Sequence, residues 1–438
     1  MRSAQAITPN TQGSQGVMKT SQNNPKPLPS LPAEILGEIF QLTTACERIN
    51  DTPAGDRIIR TLVAITSVNS YWRTVAISRK SLWTIIHISD PKSAMAITSA
   101  LKILELFIER PSTASLDIYL ALACGSNDHS HILWRSLSSH LYRCRKLVIN
   151  RLLSAFARLV LPLRQPLERL ESFHLDAPFR ESYSRLEGVQ EEPDMTLTQL
   201  ETIFPVLSEA PNLQELRLIG HAPFWRFEWR AIESHLRGFP HLRVAILRFS
   251  VSDDEHDESS PQPFAIASLH TLASANWDHG KHLLLPDLRH FISITGGNSD
   301  LRDIPTQFSS LERLSLTRTQ TYRLGGVMPI TPMLSLIQLD LVCSAPVDEL
   351  LVYLSADTKR GQTAIFPSLQ RLQFYDCRMF ESRLSECLEA TFSLLEARPT
   401  LHIVWDHYPA KWELTEAPES CRGRLFETSD RFPQGWMI

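Results

Sequence analysis

The sequence predicts a mixed α/β fold: a three-helix module near the N-terminus, then an irregular stack of strand-and-helix units whose strands run parallel. Three observations predict it. Apolar residues between Leu31 and Ala76 recur at helical spacing. From Leu170 to Val404 a phrase of the form L-x-x-L-x-L keeps returning. Helix-like pieces, such as Leu200 to Leu207 and Ala231 to Leu236, fill the intervals between its copies.

The module opens with Leu28-Pro29-Ser30-Leu31-Pro32-Ala33-Glu34-Ile35-Leu36-Gly37-Glu38-Ile39-Phe40. Pro32 suits a first helical turn, where its missing N–H costs nothing, and Glu34 and Glu38 lie near the positive helix start. Ile35, Leu36, Ile39 and Phe40 form one apolar stripe. A polar stretch from Glu47 to Asp56 follows, and helical spacing resumes with Leu62, Ile65, Val68, Trp72, Val75 and Ala76. Ser81 to Ile88, with its β-branched run, reads as a strand. Helices this short cannot hide Leu31, Ile35, Ile39, Trp72 and Trp83 among themselves. The surplus either docks on the next domain or marks a partner site.

Beyond Ile88, Met95, Ile97, Leu101, Leu104 and Ile108 give a helix over Ser93 to Arg110, stopped by Pro111. Leu116, Ile118 and Leu120 alternate as a strand. His131 to Tyr142 reads as helix and Leu147-Val148-Ile149 as strand. The recurring phrase then appears at Leu170, Pro211-Asn212-Leu213, Pro240-His241-Leu242, Pro286-Asp287-Leu288, Ser310-Leu311, Leu336, Pro367-Ser368-Leu369 and Pro399-Thr400-Leu401. A strand alternates faces, so the phrase enters from a turn and points two apolar residues inward. One strand and one helix per unit, stacked, gives a solenoid with a parallel sheet; an unrelated α/β domain with a parallel sheet is the other reading.

Composition narrows the function classes. The 438 residues, 43% hydrophobic and 21% charged, suit a soluble globular protein with two or three domains. A net charge of −4 argues against general nucleic-acid binding. Seven scattered cysteines with no Cys-x-x-Cys read as reduced thiols in a cytoplasmic or nuclear protein. No apolar run reaches membrane-spanning length, so no membrane partner is expected. The expected organisation is a disordered tail over 1–26, the helical module over 27–90, a helix-strand linker with first repeats over 91–150, the repeat domain over 151–406 and a capping tail over 407–438.

No catalytic chemistry is expected. No phosphate-cradling glycine loop, nucleophile elbow or zinc-protease helix motif occurs. No cofactor and no metal site is expected: Asp128-His129-Ser130-His131 reads as exposed loop histidines, because no cysteine is spaced to join them. The acidic run Val251 to Ser260 reads as a solvated loop, with a basic-partner or metal site as the alternative. Trp225 and Trp229, with Phe224, Arg226 and Arg230, form either inter-unit packing or a recognition hot spot.

Two resemblances carry the functional expectation. Leu31-Pro32-x-Glu34-Ile35-Leu36-x-Glu38-Ile39-Phe40, then Val68-x-x-x-Trp72-Arg73-x-x-Ala76, then Leu82-Trp83 resembles the F-box in its mushroom-type fungal form. Asn69 stands where the family often has Cys, and the link between the first two helices is longer than usual. The resemblance implies docking on a Skp-type adaptor, and through it a cullin, by Leu31, Pro32, Ile35, Leu36, Ile39, Phe40, Leu62, Ile65, Val68, Trp72, Leu82 and Trp83. The recurring phrase resembles the leucine-rich repeat from Leu116 to Asp406, with unit lengths outside the regular range and the family's turn Asn mostly missing; Cys377 fits that place, while His221 and Thr319 occupy it elsewhere. It implies a concave strand surface for an unknown protein substrate. Arg217, Arg313, Arg371, Trp225 and Trp229 are the candidate substrate contacts, with Arg217 between two inward leucines and Arg313 and Arg371 just before one. Together these imply a non-catalytic substrate-recognition subunit of a ubiquitin ligase. The alternative is a repeat scaffold acting outside such a ligase.

Overall fold

The computed structural model describes residues 31–45, 48–49, 52–53, 55–89, 94–110, 113–121, 129–150, 167–177, 207–208, 210–220, 226–227, 235–248, 250–251, 264–274, 283–293, 308–317, 332–342, 347–359, 365–375, 377, 384–405 and 418–427. Three helices come first: α1 Ala33–Ala45, α2 Gly55–Ser67 and α3 Ser70–Ser78. Pro32 begins α1 by offering its carbonyl to the Leu36 N–H at 3.0 Å. Asn69 caps α3, its side-chain oxygen accepting the Trp72 N–H at 2.8 Å, which gives that residue a structural purpose.

Thirteen strands then form one sheet in chain order, every pairing parallel. They are β1 Ile85–Ser89, β2 Leu116–Ala121, β3 Cys144–Asn150, β4 Ser172–Ala177, β5 Glu215–Gly220, β6 Val244–Arg248, β7 Thr271–Ser274, β8 His290–Ser293, β9 Arg313–Thr317, β10 Gln338–Val342, β11 Arg371–Tyr375, β12 His402–Trp405 and β13 Leu425–Glu427. Among the described residues five further helices intervene: α4 Ala94–Glu109, α5 His129–Ser138, α6 Asp348–Lys359, α7 Leu384–Ala397 and α8 Glu419–Arg422. One strand per unit, laid side by side in sequence order, is a solenoid-like repeat. Unit length is irregular, from 19 residues between the starts of β7 and β8 (Thr271 to His290) to 43 between those of β4 and β5 (Ser172 to Glu215).

The register explains the recurring phrase. Ile86, Ile118, Leu147, Phe173, Leu216, Ala245, Leu272, Phe291, Leu314, Leu339, Leu372, Ile403 and Leu425 form one continuous lateral row. All are buried. The phrase's first leucine lies in a turn before the strand: the N–H groups of Leu213, Leu242, Leu288, Leu369 and Leu401 donate to the carbonyls three residues earlier. Pro211, Pro240, Pro286, Pro367 and Pro399 occupy the second turn position, where a fixed φ favours the turn. The unit at Leu269-x-x-Leu272 lacks both marks of the phrase: Ala267 stands in the turn proline's place and Ser274 in the third apolar place.

Side-chain hydrogen bonds to backbone carbonyls link neighbouring units. Arg143 donates to the Ile108 carbonyl at 3.1 Å, at the C-terminal end of α4, where a cation also suits the helix dipole. Arg424 does the same at the end of α7, to Leu395 and Arg398 carbonyls. Thr317 reaches the Ser293 carbonyl and Cys377 the Leu341 carbonyl, each one unit back.

The boundary expected near residue 90 does not divide the core. A single apolar cluster runs from Leu36 on α1 to Leu425 on β13. Trp83 makes the join. Its indole N–H donates to the Ala76 carbonyl at 2.8 Å, its ring meets Phe107 of α4 edge-on at 5.3 Å, and Arg110 lies 3.8 Å above it. The expected capping tail contributes α8 and β13, so it extends the sheet by one strand; Trp412 and Trp436 lie outside the described residues. No helix among the described residues is long and apolar enough to cross a membrane.

Candidate interaction surfaces

Helical geometry splits the predicted docking residues into two sets. On α1, Leu36 and Phe40 turn inward and are 1% exposed, while Ile35 is 50%, Ile39 41% and Leu42 64% exposed. Residues 35, 39 and 42 repeat at intervals that place them on one side of α1. Leu31 sits beside α3, its carbonyl accepting the Tyr71 hydroxyl at 2.9 Å. Val63, Val68 and Tyr71 are also exposed. Leu62, Ile65, Leu82 and Trp83 are buried, and Trp72 is partly buried against the Phe40 ring at 5.2 Å. The structure therefore corrects the predicted set. Leu36, Phe40, Leu62, Ile65, Leu82 and Trp83 hold the module together and cannot touch a partner without unfolding. The available surface is Leu31, Pro32, Ile35, Ile39 and Val68, to which the structure adds Leu42, Val63 and Tyr71.

The second surface is the sheet's other side. The buried lateral row and every described helix contribute to one core; residues between the inward ones share the opposite face, open in that no described helix covers it, although Ile246, Ala273 and Ile292 are buried there as a second small cluster. Arg217, Arg313 and Arg371 all lie on it: Arg217 is paired laterally with His174 and Ile246, while Arg313 and Arg371 flank Gln338. Trp225 and Trp229 lie outside the described residues.

Two polar clusters occupy this face, and sequence reasoning found only their arginines. On β4 and β5, Ser172 donates to Glu215 Oε2 at 2.7 Å, His174 Nε2 lies 3.1 Å from the same oxygen, and Arg217 Nε donates to Glu215 Oε1 at 2.6 Å. Burial alone would raise the Glu215 carboxyl, but the His174 hydrogen bond, the neighbouring charge of Arg217 and the Ser172 hydroxyl hold it well below the usual carboxylate range. Burial lowers His174, so it donates as a neutral imidazole. Ser172 lies 2.9 Å from that same Nε2. In a hydrolase triad the serine and the acid engage opposite ring nitrogens; here they share one, so no proton relay runs through His174.

On β8 to β11 the second cluster centres on Asp340, which is fully buried. Its Oδ2 accepts Arg313 Nε at 2.6 Å and the Ser315 hydroxyl at 2.8 Å, and its Oδ1 accepts the Gln338 amide at 2.8 Å. His290 Nε2 lies 3.0 Å from Ser315 Oγ. Burial, then the Arg313 charge, push His290 down to about 3, so it is neutral. A third pair, Arg145 with Asp117, is bidentate at 3.0 and 2.7 Å; a register shift in the β2–β3 ladder makes Arg145 the extra residue there. Among the described residues no group of three His, Cys, Asp or Glu side chains is placed to hold a metal ion.

No protein-family model matches the chain, and no curated protein matches it. Among solved structures, a Bacteroides fragilis protein determined as a structural-genomics target is similar at a TM-score of 0.37 and 12% identity, over 71% of this chain and 82% of that one. A likeness at that level supports neither a fold family nor a function.

Proposed function

We propose that the chain is a non-catalytic adaptor, the substrate-recognition subunit of a Skp–Cullin–F-box ubiquitin ligase, built from an F-box and irregular leucine-rich repeats. One observation carries the reading: the exposed apolar stripe of Ile35, Ile39 and Leu42 on α1, with exposed Leu31 just before the helix, in a segment whose residue order resembles the F-box. Exposed apolar side chains on one helical side suit a partner's apolar groove. The Skp-type protein would bind there, a cullin through it, and a protein substrate on the sheet's open face. Ubiquitin transfer would belong to other subunits, with this chain supplying proximity. Co-purification of the full chain with a Skp-type adaptor tests the reading, and failure to capture that adaptor at micromolar concentrations would overturn it.

A second reading has its own support. The three-helix module shares its core with β1 and α4, as an end cap of the repeats would. On that reading the protein is an interaction scaffold outside any ligase. The same co-purification separates the two.

A further inference from the structure

The three arginines of the open face differ in what they have left to offer. Arg217 engages Glu215 through both Nε and Nη2. Arg313 is held through Nε alone, by a carboxylate that is itself fully buried and also fixed by Ser315 and Gln338. Its two terminal nitrogens make no hydrogen bond among the described residues, and its side chain is 34% exposed. Arg371 is exposed, and no hydrogen bond or ion pair engages it among the described residues. A guanidinium whose orientation is set from behind, with its planar fork turned outward, suits an anionic oxygen pair.

The strand register sets their spacing. Arg313, Gln338 and Arg371 are consecutive in one lateral row, so two strand spacings, about 10 Å, separate the two arginines, with an amide between them. Outward side chains two residues apart on an extended peptide lie about 7 Å apart. Two such flexible side chains can converge on groups at that distance. Among the described open-face positions of β8 to β12 the sole acidic side chain is Asp340, buried and already paired. Nothing acidic there competes for an incoming anion.

We propose that Arg313, Gln338 and Arg371 form a binding site for an extended acidic peptide segment carrying two anionic groups two residues apart. The proposal rests on the reading of the open face as the substrate side, and it removes Arg217 from the site. The anion is a carboxylate or a phosphate ester; both present oxygen pairs to a guanidinium.

The test uses the full chain and fluorescence anisotropy. Three labelled peptides share one Gly/Ser frame and carry Glu-x-Glu, phosphoserine-x-phosphoserine or Gln-x-Gln. Binding of either anionic peptide, but not of the Gln peptide, supports the site and identifies its anion. Arg371→Glu should weaken that binding about tenfold or more, the size of one lost charge-assisted hydrogen bond. Arg313→Lys, which keeps the charge and removes the fork, should also weaken it. Arg145→Gln, elsewhere on the same face, should not. Arg371 is exposed, so Arg371→Glu should keep the wild-type urea midpoint. Equal binding of all three peptides, binding of none, or equal loss in Arg145→Gln and Arg371→Glu overturns the proposal. Adaptor capture is measured on the same preparations. Its loss with peptide binding retained would remove the ligase reading and leave this site standing.

Discussion

Ile35 and Leu36 are adjacent on α1 and have opposite fates: Ile35 is half exposed and Leu36 is sealed in the core. That relationship dictates how the proposed docking surface must be tested. Ile35→Asp and Ile39→Asp should leave the fold intact and abolish adaptor capture, because a carboxylate would have to be desolvated in an apolar contact. Leu36→Asp should instead unfold the module, seen as a loss of cooperative urea unfolding. Adaptor capture by Ile35→Asp and Ile39→Asp at wild-type affinity would exclude this stripe as the docking face.

Leu314 lies in the inward row between Phe291 and Leu339 and is 1% exposed. Leu314→Ala should lower the unfolding free energy by about 2–5 kcal/mol. Val63→Ser, on the exposed side of α2, should change it by less than about 0.5 kcal/mol. Urea titration of both variants measures the contrast.

Leu334 occupies the second turn position that holds proline in five other units, and its side chain is exposed. The turn closes through the Leu336 N–H and the Met333 carbonyl, and among the described residues no backbone bond uses the Leu334 N–H. Leu334→Pro should therefore raise stability by about 0.4–1 kcal/mol, by restricting the unfolded chain. A lower urea midpoint would show that this turn departs from the proline geometry.

Acid should destabilise the fold in two stages. Burial first, then Arg313, hold folded His290 near 3, below an unfolded value of about 6.5. The unfolded chain then binds a proton that the folded chain does not, so stability is fully present above about 6.5 and falls as pH drops towards 3. Burial shifts His174 the same way. Glu215 adds a contribution present above its unfolded value of about 4.3 and lost at lower pH, since its folded carboxyl lies well below that value. Urea midpoints between pH 7 and 4 should fall, and His290→Gln should flatten the decline. An unaltered slope in His290→Gln would place the proton uptake elsewhere.

The units with a complete phrase were legible because a strand's period of two forces Leu216 and Leu218, or Leu314 and Leu316, onto one side. The unit at Leu272 was not, since Ser274 breaks that pattern and no turn proline marks the unit, as Pro286 marks the one that ends on Ser293, while the register preserves the strand. The helices of the module were legible from apolar spacing, but that spacing marks an apolar side without saying whether water or core covers each part of it. Of the candidate substrate contacts, the sequence placed Arg217, Arg313 and Arg371 on strands. It could not see that Glu215 occupies Arg217, or that Asp340, one unit beyond Arg313 in the chain, holds it by Nε alone.

Local rules thus determined the α/β alternation, the turn prolines and the inward leucines, because each depends on residues within a few places of one another. The tertiary structure decided which apolar residues of α1 stay exposed, that one core joins the module to the sheet, and which arginines remain able to bind. Each of these depends on side chains distant in the chain meeting in space, the arginines across strand spacings of about 5 Å. A single unit's sequence contains no record of its lateral neighbours, so only the assembled register could assign them.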